Sequence, residues 1–433
     1  MDVDADVIIV GAGLAGLACA RRLAADGLAP IVLEASDGPG GRVRTEQVGG
    51  FLLDRGFQVL LTAYPEARAV LDYAALDLKP FAAEAWVRHA GRFHRVSDPW
   101  RHPGRLPAAL LSPIGTLTDK FRLGRMRRRL IRQARRAGPG HAGASGPDAT
   151  SGPETTTLAA LRAAGLSDAI IDLFCRPFFG GILLDRNLGA SNRMFEFAFA
   201  MLAMGDTAVP AAGMGAIPAQ IAAALPPGAM LTTTAVESVR PGGVTLRGGG
   251  TLAARAVVVA AAAPEAARLL GAEYDRPSKG VTCLHFAADR APFNEPFLVL
   301  DAAGEGPINN LAVMSNAAPG YAPPGAALIS ATVLGVPEPA GPALEPAVRR
   351  QMEIWFGRPA RDWRLLRVDR IAHAQPAQDP PALEPPERPV RAGPGLYICG
   401  DHRDNASING ALVSGRRAAE AVITDLLGGY EKG

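Results

Sequence analysis

The chain has 433 residues, of which 48% are hydrophobic, and a formal net charge of only +3. That length holds roughly two to three ordinary domains with a large buried core, and the near-neutral balance excludes a dedicated nucleic-acid binder. Four cysteines (Cys19, Cys175, Cys283, Cys399) lie scattered without C-x-x-C or metal-type spacing, which excludes a disulfide scaffold and points to a reducing compartment and no bound metal.

The N-terminus carries Asp2, Asp4 and Asp6 and no basic n-region, so it does not read as a secretory signal. No apolar run approaches roughly 18 residues without a charge or a breaker, so no transmembrane span is expected and the chain is expected in the cytoplasm. The Ala/Arg/Gly bias fits a GC-rich bacterial genome.

The first element is an apolar strand, Asp6–Val10, that ends in Gly11-Ala12-Gly13-Leu14-Ala15-Gly16 and continues as an Ala/Leu-rich helix. A second strand, Pro30–Leu33, is closed by Glu34. Strand, glycine turn, helix, strand and acid in this register form a dinucleotide fingerprint. Gly11 permits the tight turn, Gly13 lets the backbone approach a pyrophosphate, and Gly16 lets the helix lie close on the strand. The pyrophosphate then meets free N–H groups and the positive end of the helix dipole. Glu34 lies about 20 residues on, where a carboxylate accepts both ribose hydroxyls and repels a 2′-phosphate. Next come Gly40-Gly41-Arg42, a second bare backbone with a planar cation for phosphate, and the turn Leu53-Asp54-Arg55-Gly56-Phe57-Gln58, with room for a ring system.

Residues 76–204 differ in character. Lys120–Arg136 is a basic stretch in which Phe121, Leu123, Met126, Leu130 and Ile131 leave a partial apolar stripe. It reads either as a solvated helix or as a peripheral membrane contact. A Gly/Pro/Ser-rich flexible linker is expected over 138–157. Leu158–Leu166 and Asp168–Phe179 then read as helices.

Beyond residue 205 the pattern turns to a helix at Ala216–Leu225, hairpin punctuation at Pro241-Gly242-Gly243 and Gly248-Gly249-Gly250, and a buried strand at Ala256–Ala260. Residues 281–300 and 326–334 alternate like strands of a second sheet. Tyr397-Ile398-Cys399 is a late strand ending in Gly400-Asp401, and Ser407-Ile408-Asn409-Gly410-Ala411 opens a terminal helix, a second anion-friendly N-terminus. The glycine runs at 242–243 and 248–250 join strand to strand, so only one dinucleotide fingerprint is present. A dedicated NADPH-binding domain is therefore not expected.

Together these glycine-bearing segments resemble the FAD-dependent amine oxidase, protoporphyrinogen oxidase and phytoene desaturase superfamily. The resemblance covers most of the chain and is strongest over 7–60, 207–263 and 395–425. It implies an α/β fold: a Rossmann-like FAD-binding domain (parallel sheet, helices and a β-meander) from 1–75, 205–275 and 388–433. A discontinuous α+β substrate domain would come from 76–204 and 276–387. It implies non-covalent FAD, with the pyrophosphate on Gly11, Ala12, Gly13, Leu14, Ala15 and Gly16, and the ribose on Glu34 and Ala35. Gly41 and Arg42 would lie near phosphate and the Val236 backbone near adenine. Gly400 and Asp401 would meet the second phosphate and the ribityl chain, and Gly56, Phe57, Ile408, Asn409 and Ala411 the flavin ring. Cys399 reads as a small buried hydrophobe rather than a covalent tether.

For the chemistry the resemblance offers less. Amine oxidases of the superfamily place a lysine opposite the reactive flavin nitrogen; here that position falls on Thr282, with Lys279 a small shift away. No tyrosine pair precedes Gly400-Asp401 to form an aromatic cage. Ala372-His373-Ala374-Gln375-Pro376 resembles the Ala-x-Pro stretch of the desaturase and protoporphyrinogen oxidase branch. Thr282 and His373 are the catalytic candidates, and His285 is another histidine able to accept a proton near neutral pH. His402 is expected near the cofactor. The reading is an FAD-dependent oxidoreductase acting on an apolar or conjugated small molecule, with O2 or a quinone as acceptor. An amine oxidase and a redox-neutral flavoprotein are the alternatives.

Overall fold

The computed structural model describes residues 3–137, 153–337 and 344–428. The first of its two large sheets has eight strands. Five are parallel neighbours, in the order Met230–Leu231, Pro30–Leu33, Ala5–Val10, Thr251–Val259 and Leu396–Ile398. Their continuous apolar runs follow from coverage on both faces; Val7, Ile8, Ile9, Val257, Val258 and Val259 are all fully buried. Thr251–Val259 is long enough to serve two sets of partners. Its later residues pair with Ala5–Val10 and Leu396–Ile398, and its first residues with the antiparallel meander Val236–Arg240 and Gly243–Leu246. Gly11, Glu34, Ala260 and the Cys399-Gly400 step follow the carboxyl ends of the longer parallel strands. On an open parallel sheet that edge is where ligands bind.

Two glycines set how closely the helices approach this edge. Gly11 has φ +109°, and a Cβ on Gly16 would lie 2.0 Å from the Gly11 carbonyl oxygen. The helix Leu14–Ala25 therefore starts directly on the turn. The terminal helix Ile408–Leu427 crosses it just as closely: a Cβ on Gly415 would lie 2.1 Å from the Ala15 carbonyl oxygen. Both helix N-termini are thereby brought to the same edge.

The second sheet has seven strands, in the order Arg364–Pro376, Ser278–Ala288, Ala327–Leu334, Asn310–Val313, Leu298–Asp301, Glu84–His89, Arg92–Ser97. All its pairings are antiparallel except that of Leu298–Asp301 with Glu84–His89. The strand expected across 281–300 is two strands. The connection holds Pro292 and Pro296, which cannot donate to a ladder. One face, with Leu284 and Phe286, packs on Val348, Met352 and Trp355 of the helix Leu344–Phe356. The other, with Ala287, Leu328 and Ala312, joins the main core.

The expected helix at 168–179 is Asp168–Ile170, a π turn at Ile171–Cys175, and Arg176–Leu183. Single π turns within helices recur at functional sites. Phe179 packs edge-on against Phe195 and Phe199 of the next helix, Asn192–Met204. The basic stretch lies within a helix, Leu117–Ala137. Among the described residues no helix is long and apolar enough to cross a membrane. Of the linker expected over 138–157, residues 138–152 lie outside the described residues. Its end is fixed rather than flexible: the Thr156 hydroxyl accepts from the Ala159 N–H at 3.1 Å, and the buried Thr157 hydroxyl donates to the Ala190 carbonyl at 2.8 Å.

Candidate functional site

The separated motifs converge on the carboxyl edge of the parallel sheet. The Gly40 N–H donates to the Ala12 carbonyl at 2.8 Å, which lays the second glycine pair against the first turn. Glu34 is nearly buried and ties both together: Oε2 accepts from the Ala12 N–H at 2.7 Å, and Oε1 from the Ser36 N–H at 2.8 Å and hydroxyl at 2.7 Å. The protein thus uses three of its roughly four acceptor positions. A ribose would meet one strong acceptor there, not two free oxygens. Thr234 donates to the Glu34 carbonyl at 2.8 Å, so the strand bearing Val236 begins beside the acid. The Val236 carbonyl accepts from Arg268 at 2.9 Å. Ala35 is exposed at the rim.

Arg42 bridges two distant segments. Its guanidinium donates to the Ala374 carbonyl at 2.8 Å and to Asp401 at 2.7 Å. Burial works against its charge, but the Asp401 carboxylate outweighs that and holds its pKa above the usual value. Gln58 donates to the Arg42 and Arg55 carbonyls at 2.7 and 2.8 Å, which places Gly56 and Phe57 next to this pair. A small, open cleft lies here, lined among others by Arg42, Ser278, His373, Gln375 and Asp401.

These residues fit an extended dinucleotide on two observations. A Cβ on Gly13 would have nothing within 4 Å, so the turn faces open space where a pyrophosphate would lie. His402, 4% exposed, has no partner for either ring nitrogen among the described residues. Burial, reinforced by Arg403, Arg42 and Arg276 and opposed by Asp401, lowers its pKa to about 4. A neutral, unsatisfied imidazole beside Gly400-Asp401 is a polar group without a ligand.

Ile408 and Ala411 are half-buried at the head of the terminal helix, whose Ser407 cap accepts from the Gly410 N–H at 3.0 Å. Asn409, expected at the flavin ring, accepts on its Oδ1 from the Glu66 N–H at 3.0 Å, which caps the short helix Pro65–Val70. Cys399 is fully buried, and burial pushes its thiol up to about 12, as befits a core residue.

Thr282 is corrected by register. Its neighbours Leu284 and Phe286 on the same face pack on the outer helix, and its hydroxyl donates to the Gly335 carbonyl at 3.0 Å. The inner face carries Cys283 and His285 instead. Lys279 is engaged by Asp379 at 3.2 Å and Asp185 at 3.6 Å. His373 is exposed at the cleft.

His285 is a buried bridge. Its Nδ1 lies 2.9 Å from the Ser330 hydroxyl and its Nε2 3.2 Å from Asp369. Burial pulls its pKa down, but Cys283 and Asp369 outweigh it and push it up to about 10. Asp369 also pairs with Arg367 at 2.8 Å and accepts from the Gly56 N–H at 3.2 Å. Arg367 donates to the Asp54 carbonyl at 2.9 Å, and Asp54 accepts from Tyr321 at 2.7 Å. This network, unseen in the sequence reading, clamps the 54–58 turn onto the second sheet. The alternation Arg367-Val368-Asp369 was the one available signal.

A family model described as flavin-containing amine oxidoreductase matches residues 14–423. Among curated proteins the similar stretches are short. Putrescine oxidase of Kocuria rosea is 41% identical over 75 residues, 17% of this chain and 16% of that protein. The zeta-carotene-forming phytoene desaturase of Myxococcus xanthus is 47% identical over 55 residues, 13% of this chain and 11% of that protein. The chain thus aligns with less than a fifth of these relatives' own length. Solved structures match throughout. An oxidoreductase from Methanosarcina mazei has a TM-score of 0.70 at 17% identity, covering 96% of this chain and 99% of its own. Cyclohexylamine oxidase from Brevibacterium oxydans has 0.69 at 20%, covering 98% and 99%. At these identities the likeness is one of fold.

Proposed function

We propose, on the premise that this chain belongs to the flavin-containing amine oxidoreductase family, that it is a dehydrogenase or oxidase of an apolar or conjugated small molecule with O2 or a quinone as acceptor. When bound, FAD supplies the redox chemistry, taking a hydride from a substrate carbon and handing two electrons to the acceptor. It is held without a covalent tether.

In this reading 1–75, 205–275 and 388–433 form the cofactor domain, and 76–204 with 276–387 the substrate domain. The backbone of Gly11–Ala15 and the helix behind it bind the pyrophosphate, Glu34 the ribose and the Val236 backbone the adenine. Arg42 and Asp401, coupled across the cleft, hold the second phosphate and the ribityl chain. Gly56, Phe57, Ile408 and Ala411 bound the ring and keep water from it.

The observation that carries the substrate class is a half-buried apolar stripe. Phe174, Phe178 and Ile182 follow one another at helical spacing through the π turn, and Phe174 stacks on Phe178 with ring centroids 5.1 Å apart. Gln375, from the cleft wall, donates to the Ile182 carbonyl at 3.0 Å, which ties the Ile182 end of the stripe to the cleft wall. An apolar substrate gains by covering such rings. The amine reading draws on the family description and the likeness to putrescine oxidase, but Thr282 faces outward and Lys279 is ion-paired.

Anaerobic mixing of the purified holoenzyme with polyenes, reduced tetrapyrroles and amines tests this. Loss of the visible flavin absorbance with an apolar conjugated compound is expected. Bleaching by amines alone, with peroxide formed on admitting air, overturns it in favour of an amine oxidase. Turnover without net bleaching assigns redox-neutral chemistry.

A further inference from the structure

We infer that the surface built by the helices Leu106–Leu111 and Leu117–Ala137 docks on an anionic lipid bilayer. Five large apolar side chains stand in water there: Leu111 is 85% exposed, Phe121 67%, Leu117 63%, Leu106 45% and Leu110 44%. They belong to one patch, because Lys120 donates to the Leu110 and Ser112 carbonyls at 2.9 and 2.7 Å and ties the short helix to the start of the long one. Trp100, also 44% exposed, lies under the Arg127 guanidinium at 4.9 Å. A contiguous exposed patch of this kind marks an interaction site.

The charges say which partner it fits. Arg127 and Arg129 are engaged, with the Ala203 carbonyl at 3.0 Å and Glu196 at 2.7 Å. Arg125, Arg128, Arg132, Arg135 and Arg136 are exposed and have no hydrogen bond or ion pair among the described residues. At 3.6 residues per turn, Leu117, Phe121 and these five arginines fall within about 100° of arc. Met126 and Leu130, on the opposite side, are buried. One stripe therefore runs from an apolar end to a row of cations without counter-ions. That order matches a bilayer, whose acyl boundary takes Leu and Phe while its anionic headgroups take Arg. An acidic protein would satisfy the arginines and leave the leucines in water.

The test is co-sedimentation of the full-length, flavin-loaded protein with phosphatidylglycerol/phosphatidylcholine vesicles and with phosphatidylcholine vesicles. Binding to the anionic vesicles at low salt is expected, and release at high salt. The variants L111D/F121D and R125Q/R128Q/R132Q should each bind at least ~10-fold more weakly, with melting temperature and flavin content unchanged because every substituted side chain is exposed. No binding to anionic vesicles at low salt overturns the inference, as does equal binding by both variants. Binding to polyglutamate but not to vesicles reassigns the face to an acidic polypeptide. None of these outcomes touches the substrate reading, which the bleaching experiment decides separately.

Discussion

The glycine edge of the first sheet and the inner face of the second are joined through Arg42 and the 54–58 turn, yet they are built differently. The edge is made of backbone: Gly11, Gly13, Gly16 and Gly40-Gly41 shape it, and Glu34 is anchored by N–H groups within 22 residues of it. The inner face is made of side chains from far-apart strands, with His285, Ser330, Arg367 and Asp369 joined to Asp54 and Gly56 across more than 300 residues. A backbone site has no room for an added side chain where its ligand must lie, whereas a side-chain network tolerates no lost partner. The same kind of substitution should fail differently in each.

The sharpest contrast is at Gly13. Since its Cβ direction is open, Gly13→Val should give a folded protein that cannot admit a pyrophosphate. FAD affinity should fall by roughly 100-fold or more, about 2.7 kcal/mol, with the melting temperature of the flavin-free protein unchanged. An apoprotein that melts much earlier would mean the turn is needed for folding, and would break the comparison.

On the other face, Asp369→Ala removes the partner of two cations and should destabilise by about 3 kcal/mol in chemical denaturation. Its pH dependence is distinctive. The folded pKa of His285, about 10, lies above the ordinary ~6.5. The stabilisation is therefore complete below about pH 6.5 and is lost as pH rises through about 10. Wild-type stability should fall across that window and the Asp369→Ala profile should be flatter; equal slopes would show that the bridge is not charged.

A smaller effect tests the helix crossing. With a Cβ at Gly415 already 2.1 Å from the Ala15 carbonyl oxygen, Gly415→Val should cost about 2 kcal/mol by overpacking. Flavin affinity should weaken alongside if Ala15 belongs to the cofactor turn, as proposed. The smallest change is Thr282→Val, which loses one hydrogen bond to Gly335, about 1 kcal/mol, and should leave turnover unaltered. A tenfold loss of kcat would return Thr282 to the substrate face.

Legibility followed the same divide. The strand at Ala5–Val10, the glycine turn, Glu34 and the terminal helix were readable because each rests on neighbours a few residues apart. Cys399 was correctly read as core from its apolar run. Thr282 was misplaced because a side chain's direction depends on register and on what packs against it. One residue's shift along Ser278–Ala288 exchanges Thr282 for Cys283 on the inner face. The strand Arg364–Pro376 was seen only at its end, since its alternation carries charged residues on both faces.

From the sequence alone came the family, the flavin and the glycine turn with its buried acid, because tight turns and helix starts allow few residue types and so leave a local signature. Only the tertiary structure decided the rest. It coupled Arg42 to Asp401 across 359 residues, turned Thr282 outward, and tied the Ile182 carbonyl to Gln375 of the cleft wall. It also left leucines, and arginines without an ion pair among the described residues, on one exposed face. Those outcomes depend on long-range packing, and packing is shared among many residues rather than written at any one of them.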